Sequence, residues 1–211
     1  MDRYESTFRT WDQLATQYQD KFMNLDLYND TYDLFCDYVK PKNATILEIG
    51  CGPGNITKYI LTKRPDFKLL GTDVSPIMIE LARKNIPSAS FKIMDCRYMN
   101  ELKQKFDGIL CGFVIPYLTK DDVAKLIRDC ASLLNNDGVL YLSAIEGDYR
   151  KSTEEKSSDG KHSVFVHYYD EEYLNATIKD YGFESIQFIR KPYQKADGSN
   201  WAHLICIANK K

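Results

Sequence analysis

The chain has 211 residues, 44% hydrophobic and 27% charged, with a formal net charge of −2 at pH 7 from 28 basic and 30 acidic side chains. That length and composition fit one globular domain over 1–211 and exclude whole-chain disorder. The missing basic excess argues against nucleic acid as the main partner, because phosphate neutralisation supplies most of such affinity.

The chain opens with Met1-Asp2-Arg3-Tyr4-Glu5, too charged for a signal peptide. Phe8, Trp11, Leu14, Ala15, Tyr18 and Phe22, then Leu25, Tyr28, Tyr32, Phe35 and Val39, recur at helical intervals. They predict two helices with a break near Asn24, a helical cap over 1–40 ended by Pro41. Short apolar runs then alternate with helical stretches. Strands are expected over 44–49, 67–72, 91–94, 106–112 and 139–143. Helices are expected over 55–63, from Ser75-Pro76, and from Thr119 to about Leu134. Asn136-Asp137-Gly138 reads as a turn into the fifth strand. Such alternation over 41–145 predicts a parallel sheet covered on both faces.

The pattern breaks at Glu146. Residues 146–163 are polar, charged and serine-rich, and read as a structureless, lid-like insertion that reaches to about 170. Val164 to Tyr168 is read as an extended segment after it. Asp170 caps a helix that stops at Gly182. The segment 171–211 closes with strands at 184–190 and 202–208, and 192–200 is read as their hairpin loop. No apolar run approaches the ~18–20 residues of a membrane span. Six scattered cysteines without a Cys-x-x-Cys pair read as reduced and buried, which suits a cytoplasmic protein. The three histidines show no metal-site spacing, so no metal is expected.

The central motif is Glu48-Ile49-Gly50-Cys51-Gly52-Pro53-Gly54-Asn55, set between an expected strand and an expected helix. Glycines there permit a tight turn and let a ligand approach the backbone. Asp73 and Asp95 end the next two strands, where acidic side chains can meet the hydroxyls and base of an adenosine ligand. Dinucleotide sites favour Gly-x-Gly-x-x-Gly facing a pyrophosphate. Here the spacing is Gly-x-Gly-x-Gly behind Glu48, a carboxylate that repels phosphate and suits a cation. S-adenosylmethionine carries no phosphate and has an ammonium, a carboxylate and a sulfonium.

The run Ile46-Leu47-Glu48-Ile49-Gly50-Cys51-Gly52-Pro53-Gly54 resembles motif I of class I S-adenosylmethionine-dependent methyltransferases. Gly71-Thr72-Asp73-Val74-Ser75-Pro76, Phe106-Asp107-Gly108-Ile109-Leu110-Cys111 and Leu133-Leu134-Asn135-Asn136-Asp137-Gly138 resemble the family's next motifs, in its order. The resemblance implies an α/β, Rossmann-like three-layer sandwich with a seven-stranded, mostly parallel sheet and an antiparallel C-terminal strand. It also implies roles. Gly50, Cys51, Gly52 and Gly54 would floor the methionine moiety, and Glu48 would sit near its ammonium. Asp73 would hold the ribose, and Val74 and Met78 the adenine face. Asp95, with the backbone of Cys96, would meet the adenine amino group. Cys111, Gly112 and Phe113 would run along the methionine backbone; apart from the resemblance, Trp11, Tyr18, Phe22 and Tyr28 of the N-terminal helices are the candidates for a roof over the cofactor.

The acceptor is open on this reading. Ile115-Pro116-Tyr117 lacks the polar first residue of the Asn/Asp-Pro-Pro-Tyr motif, so no exocyclic-amine substrate is inferred. A small-molecule acceptor is expected, with a monomer or homodimer and no membrane partner. His167, Tyr117 and Glu146 are the candidates for a base, should the acceptor need to lose a proton. The rival readings are an NAD-dependent oxidoreductase, a non-catalytic S-adenosylmethionine-binding module and, with the basic cluster Arg190-Lys191-Pro192-Tyr193-Gln194-Lys195, an RNA methyltransferase.

Overall fold

The computed structural model describes residues 4–156, 162–195 and 198–211. Three helices precede the sheet: α1 (Glu5–Gln13), α2 (Ala15–Phe22) and α3 (Asn29–Tyr38). The first expected helix is therefore two, parted at Leu14 (φ −91°, ψ 3°). Tertiary contacts override the continuous helical pattern there. On α1, Thr10 Oγ1 donates to the Ser163 carbonyl at 3.3 Å, and Asp12 accepts from Ser75 Oγ at 2.6 Å. Beyond the break, α2 turns Tyr18 towards the glycine loop, its ring 3.6 Å from where a Gly52 Cβ would lie.

The alternating region follows: β1 (Thr45–Ile49), α4 (Asn55–Lys63), β2 (Lys68–Asp73), α5 (Pro76–Asn85), β3 (Ser90–Ile93), β4 (Phe106–Cys111), α6 (Lys120–Leu133) and β5 (Leu134–Ile145). The expected caps are in place. Ser75 Oγ accepts from the Met78 N–H at 3.1 Å, with Pro76 opening α5. Thr119 caps α6, whose first turn carries Asp121 and Asp122 at the positive end of the helix dipole. The chain continues through β6 (Thr153–Lys156), β7 (Ser163–Val166), α7 (Glu171–Asp180), β8 (Phe183–Gln194) and β9 (Asn200–Lys210).

Seven strands form one sheet in the order β3-β2-β1-β4-β5-β9-β8. Strands β1 to β5 pair in parallel, and β9 lies antiparallel between β5 and β8. Helices cover both faces. Leu126, Ile127 and Cys130 of α6 pack with Leu174 and Ile178 of α7 on one side. Tyr32 and Phe35 of α3 pack with Ile56 and Ile60 of α4 on the other. This is the Rossmann-like three-layer sandwich that the motifs led us to expect, with its antiparallel strand.

Three expectations are corrected. The turn at 136–138 lies inside β5 as a bulge: Phe106 pairs with Leu134, and pairing resumes at Gly108 with Val139. Asp137, at φ 61°, takes up the extra chain. The insertion after Ile145 is not structureless. Strands β6 and β7 pair antiparallel from Thr153 with Val166 to Lys156 with Ser163, while residues 157–161 of the expected lid lie outside the described residues. The final hairpin is longer than expected, with Pro192 and Tyr193 inside β8, paired to Ala202 and Trp201. Proline is tolerated there because β8 is an edge strand. Asp197 of the expected hairpin turn lies outside the described residues.

Candidate active site

A cleft of about 720 Å³ opens at the carboxyl ends of β1, β4 and β5. Open α/β sheets place ligands there, and the volume suits a small molecule. Gly50 follows β1 and Gly112-Phe113 follow β4, and all three line the cleft. Trp11 of α1 and Tyr18 and Phe22 of α2 form its roof. Because β9 runs antiparallel, its first residues, Trp201 and His203, come to the same end of the sheet and form the far wall with Tyr193 of β8. The β6–β7 hairpin contributes Val164 and Val166. The expected lid segment thus reaches the cleft, as a paired hairpin.

The glycine loop is built by conformation and by packing. Gly50, Gly52 and Gly54 have φ of 69°, 51° and 90°, values that side chains resist. A Cβ on Gly50 would lie 2.2 Å from Val114 Cγ2, and one on Gly54 2.3 Å from Ile86 Cδ1. A Cβ on Gly52 would have Tyr18, Asn55 and Met78 as its nearest neighbours, at 3.6–3.9 Å, so packing does not exclude a side chain there as it does at Gly50 and Gly54. Asp73 buttresses the loop: its Oδ2 accepts from the Gly52 N–H and its Oδ1 from the Ser75 N–H, both at 2.9 Å. Burial raises the Asp73 pKa against the pull of these N–H donors.

Glu48 is the most unusual group here. It is 1% exposed, at the base of the loop. Its Oε2 accepts from Thr57 Oγ1, and its Oε1 is buried without a hydrogen-bond partner. Burial pushes its pKa up to about 8; the Thr57 bond pulls the other way, and Asp73 adds to the rise. With that pKa the side chain holds its proton at neutral pH, and a cation brought against Oε1 would displace it.

The other expected residues divide by placement. Met78 Sδ lies 3.9 Å from the Gly52 Cβ position, and Val74 is half-buried nearby in the chain. The Cys51 side chain packs with Ile79 and Ala82 of α5 and with Ile86 just past it, so only its backbone is offered to the loop. Cys111 is likewise fully buried in the core. Asp95 is paired with Arg97, Oδ2 to Nη2 at 2.5 Å, and Cys96 follows it, half-buried. Phe113 has φ 57°, and its N–H donates to Ser143 Oγ at 2.7 Å. The candidate bases separate as well. Tyr117 lines the cleft and meets Trp11 edge-on at 5.3 Å, and burial raises its pKa. The structure does not bring Glu146 or His167 to the cleft lining. Glu146 is held by Arg190 at 2.7–3.0 Å, and His167 stacks on Tyr149 at 5.2 Å.

The sequence reading missed His203, Trp201 and Tyr193. The signal was present: Trp201-x-His203 is strand alternation that puts both rings on one face. It was hidden because the last strand was started one residue after Trp201.

Comparison with known proteins agrees with this geometry. A family profile described as a methyltransferase domain matches residues 46–138. A trans-aconitate 2-methyltransferase of Variovorax paradoxus is 40% identical over 102 residues, 48% of this chain and 39% of the relative. The chain spans 34–39% of the length of the first three curated relatives. Among solved structures, magnesium protoporphyrin IX methyltransferase from Synechocystis PCC 6803 with bound SAM superposes at a TM-score of 0.74. It has 14% identity, and the match covers 100% of this chain and 98% of that one. The 1,6-didemethyltoxoflavin-N1-methyltransferase of Burkholderia thailandensis also gives 0.74, at 17% identity, covering 98% of this chain and 88% of that one. With its four motifs, its strand order and its glycine loop, this chain has the fold of the class I S-adenosylmethionine-dependent methyltransferases and resembles them in sequence over residues 46–138.

Proposed function

We propose that the chain transfers the methyl group of S-adenosylmethionine to a small-molecule acceptor bound in the aromatic end of the cleft. The observation that carries this reading is the unpartnered, buried Oε1 of Glu48 beneath the glycine loop, matched to the ammonium of that cofactor. A dinucleotide fits worse, since the loop reads Gly-x-Gly-x-Gly and not the Gly-x-Gly-x-x-Gly that dinucleotide sites favour. The curated relative acts on trans-aconitate, and one solved neighbour was crystallised with its methyl donor, which supports both halves of the reading.

The proposal extends to the binding roles. Glu48 takes the ammonium, and the backbones of Gly50, Cys51, Gly52 and Gly54 floor the methionine portion. Asp73 has its carboxylate already oriented by two backbone N–H groups and takes the ribose hydroxyls. Val74 and Met78 flank the adenine, with Asp95 and the Cys96 backbone at its amino edge. Cys111, Gly112 and Phe113 run along the methionine side towards the acceptor, under Tyr18. When bound, S-adenosylmethionine supplies an electrophilic methyl carbon, to which the acceptor's lone pair bonds as the carbon–sulfur electron pair returns to sulfur.

The chain's own part is alignment and exclusion of water, which together account for much of such a barrier's reduction. Trp11, Tyr18 and Tyr117 close the roof in edge-on contacts at 5.3 and 5.7 Å. Tyr117 keeps its phenolic proton at neutral pH, its pKa raised by burial, so it serves as a hydrogen-bond donor and not as a base. Glu146 and His167 lie outside the cleft lining, so neither is proposed as a base. The six cysteines are free thiols, which fits action in a reducing compartment such as the cytoplasm. Among the described residues no helix is long and apolar enough to cross a membrane.

The test is titration calorimetry with S-adenosylhomocysteine on the wild type and on Asp73→Ala. The expected result is near-micromolar binding, on the order of −8 kcal/mol, with a loss of ~1–3 kcal/mol in the variant. Binding of NADH in place of S-adenosylhomocysteine would overturn the assignment. Binding without turnover of labelled cofactor against thiols, amines, phenols and carboxylates would make the chain a non-catalytic module.

A further inference from the structure

The far wall of the cleft holds chemistry that cofactor binding leaves unused. His203 of β9 lines the cleft and is 5% exposed. Its Nδ1 lies 2.6 Å from the Tyr28 hydroxyl, and its Nε2 is buried with no hydrogen-bond partner among the described residues. Burial pushes the imidazole pKa down to about 4, so the ring is neutral at neutral pH and carries a single N–H. Burial raises the Tyr28 pKa, so that phenol also keeps its proton. Nδ1 is the acceptor that the fold gives the hydroxyl. An O–H donated to Nδ1 leaves the ring hydrogen on Nε2. The open position is therefore a donor.

The surroundings narrow what that donor meets. Four rings gather about the imidazole: Phe113 at 4.7 Å, Tyr193 at 5.0 Å and stacked within 15°, Tyr28 at 5.8 Å and Trp201 at 6.0 Å. Ring faces and edges at these spacings suit a flat π system. Phe113 links this wall to the cofactor side, since it follows Gly112 in the chain. A left-handed backbone at a non-glycine residue is strained and is kept only where its surroundings enforce it. Here the Ser143 hydroxyl enforces it and aims the ring between Tyr28 and His203.

We propose that the acceptor is a planar aromatic or heteroaromatic molecule, and that the Nε2–H of His203 donates a hydrogen bond to an oxygen or ring nitrogen on it. His203 is then a substrate-binding residue that sets specificity. Tyr28 is a positioning residue that fixes the imidazole tautomer. The inference rests on the methyltransferase reading and names the substrate class of that site.

The test uses 2-quinolone, a flat bicyclic lactam, and its octahydro analogue, which keeps the lactam carbonyl and loses planarity. Each is titrated into wild type saturated with S-adenosylhomocysteine. 2-Quinolone is expected to bind at least tenfold tighter than the analogue. His203→Phe is expected to weaken 2-quinolone at least tenfold and to leave S-adenosylhomocysteine affinity within twofold. The chain has three histidines, so ¹⁵N imidazole spectra are assignable by replacing His162 and His167 in turn. They are expected to show the His203 proton on Nε2, and a mixture of tautomers in Tyr28→Phe. The proposal is overturned by a wild-type proton on Nδ1, by equal affinity for the two lactams, by no binding of 2-quinolone, or by indifference to His203→Phe. The wild-type tautomer and the wild-type lactam pair decide it even where a variant fails to fold. Failure of S-adenosylhomocysteine itself to bind would instead overturn the methyltransferase reading on which the proposal stands.

Discussion

Glu48 and the glycines that follow it carry opposite kinds of constraint. Glu48 holds a proton in the folded chain that the unfolded chain releases near the ordinary value of 4.5, because burial lifts its pKa to about 8. Between those values the folded state binds more protons, so its contribution to stability falls as pH rises from about 4.5 to 8. Thermal melts from pH 5 to 8 should show Glu48→Gln gaining on the wild type as pH increases. Ligand binding should run the other way: an ammonium needs the carboxylate, so S-adenosylhomocysteine affinity should rise as pH approaches 8, with proton release visible in buffers of different ionisation enthalpy. Glu48→Gln should flatten that dependence. The glycines weigh folding and binding differently. Gly50→Ala would place its Cβ 2.2 Å from Val114 Cγ2 at φ 69°, and should lower the Tm by several degrees, for a backbone cost of about 1–3 kcal/mol. Gly52→Ala meets only ordinary contacts, at 3.6 Å and beyond, but shares the positive-φ strain at 51°, so it should lower the Tm less than Gly50→Ala does and weaken ligand affinity by calorimetry as well. The sequence announced these residues because each sits at a strand end with a specific chemistry. It could not announce the orphaned Oε1 of Glu48, which depends on what packs around it.

Helix ends show how distant pieces of chain are joined. The helix α3 ends at Val39 without a glycine cap, and its last carbonyls turn to Arg64, just past α4. The Arg64 guanidinium donates to the carbonyls of Cys36, Val39 and Pro41 at 3.0 Å and grips Asp66 at 2.9–3.0 Å. The flat fork is what allows all of these at once, so lysine is no substitute. Arg64→Lys should cost about 2 kcal/mol, read as a Tm lower by roughly 4–8 °C. Elements whose ends carry local signals were legible: α5 behind Ser75-Pro76, α6 behind Thr119 and α7 behind Asp170. The division of the first helix at Leu14 was not, because it answers to the distant partners Ser75 and Ser163. The extended reading of 164–168 overlaps β7, but β6 was obscured for another reason. Thr153-Glu154-Glu155-Lys156 is polar on both faces, so no alternation marks it.

At the scale of the molecule, the sheet was readable from motif order alone, since buried parallel strands appear as short apolar runs between helices. The acceptor wall was not, because it is assembled from Tyr28, Phe113, Tyr193 and His203, far apart in sequence and adjacent only across the sheet. Native-state hydrogen exchange should rank the molecule accordingly, with the slowest amides in β1, β4 and β5 and faster exchange in the two-stranded β6–β7 pair. Fast exchange in β5 would contradict the sheet order. The place of β9 has one more consequence. It is the last strand in the chain, yet it is slotted into the interior of the sheet, between β5 and β8. During synthesis the glycine loop and its neighbours leave the ribosome long before this strand, so a nascent chain can present a donor-binding half while its acceptor wall does not yet exist. Sheet completion must wait for that late insertion. The step has high contact order and leaves the β5 edge open meanwhile, which makes it the point where a chaperone would find this protein most exposed.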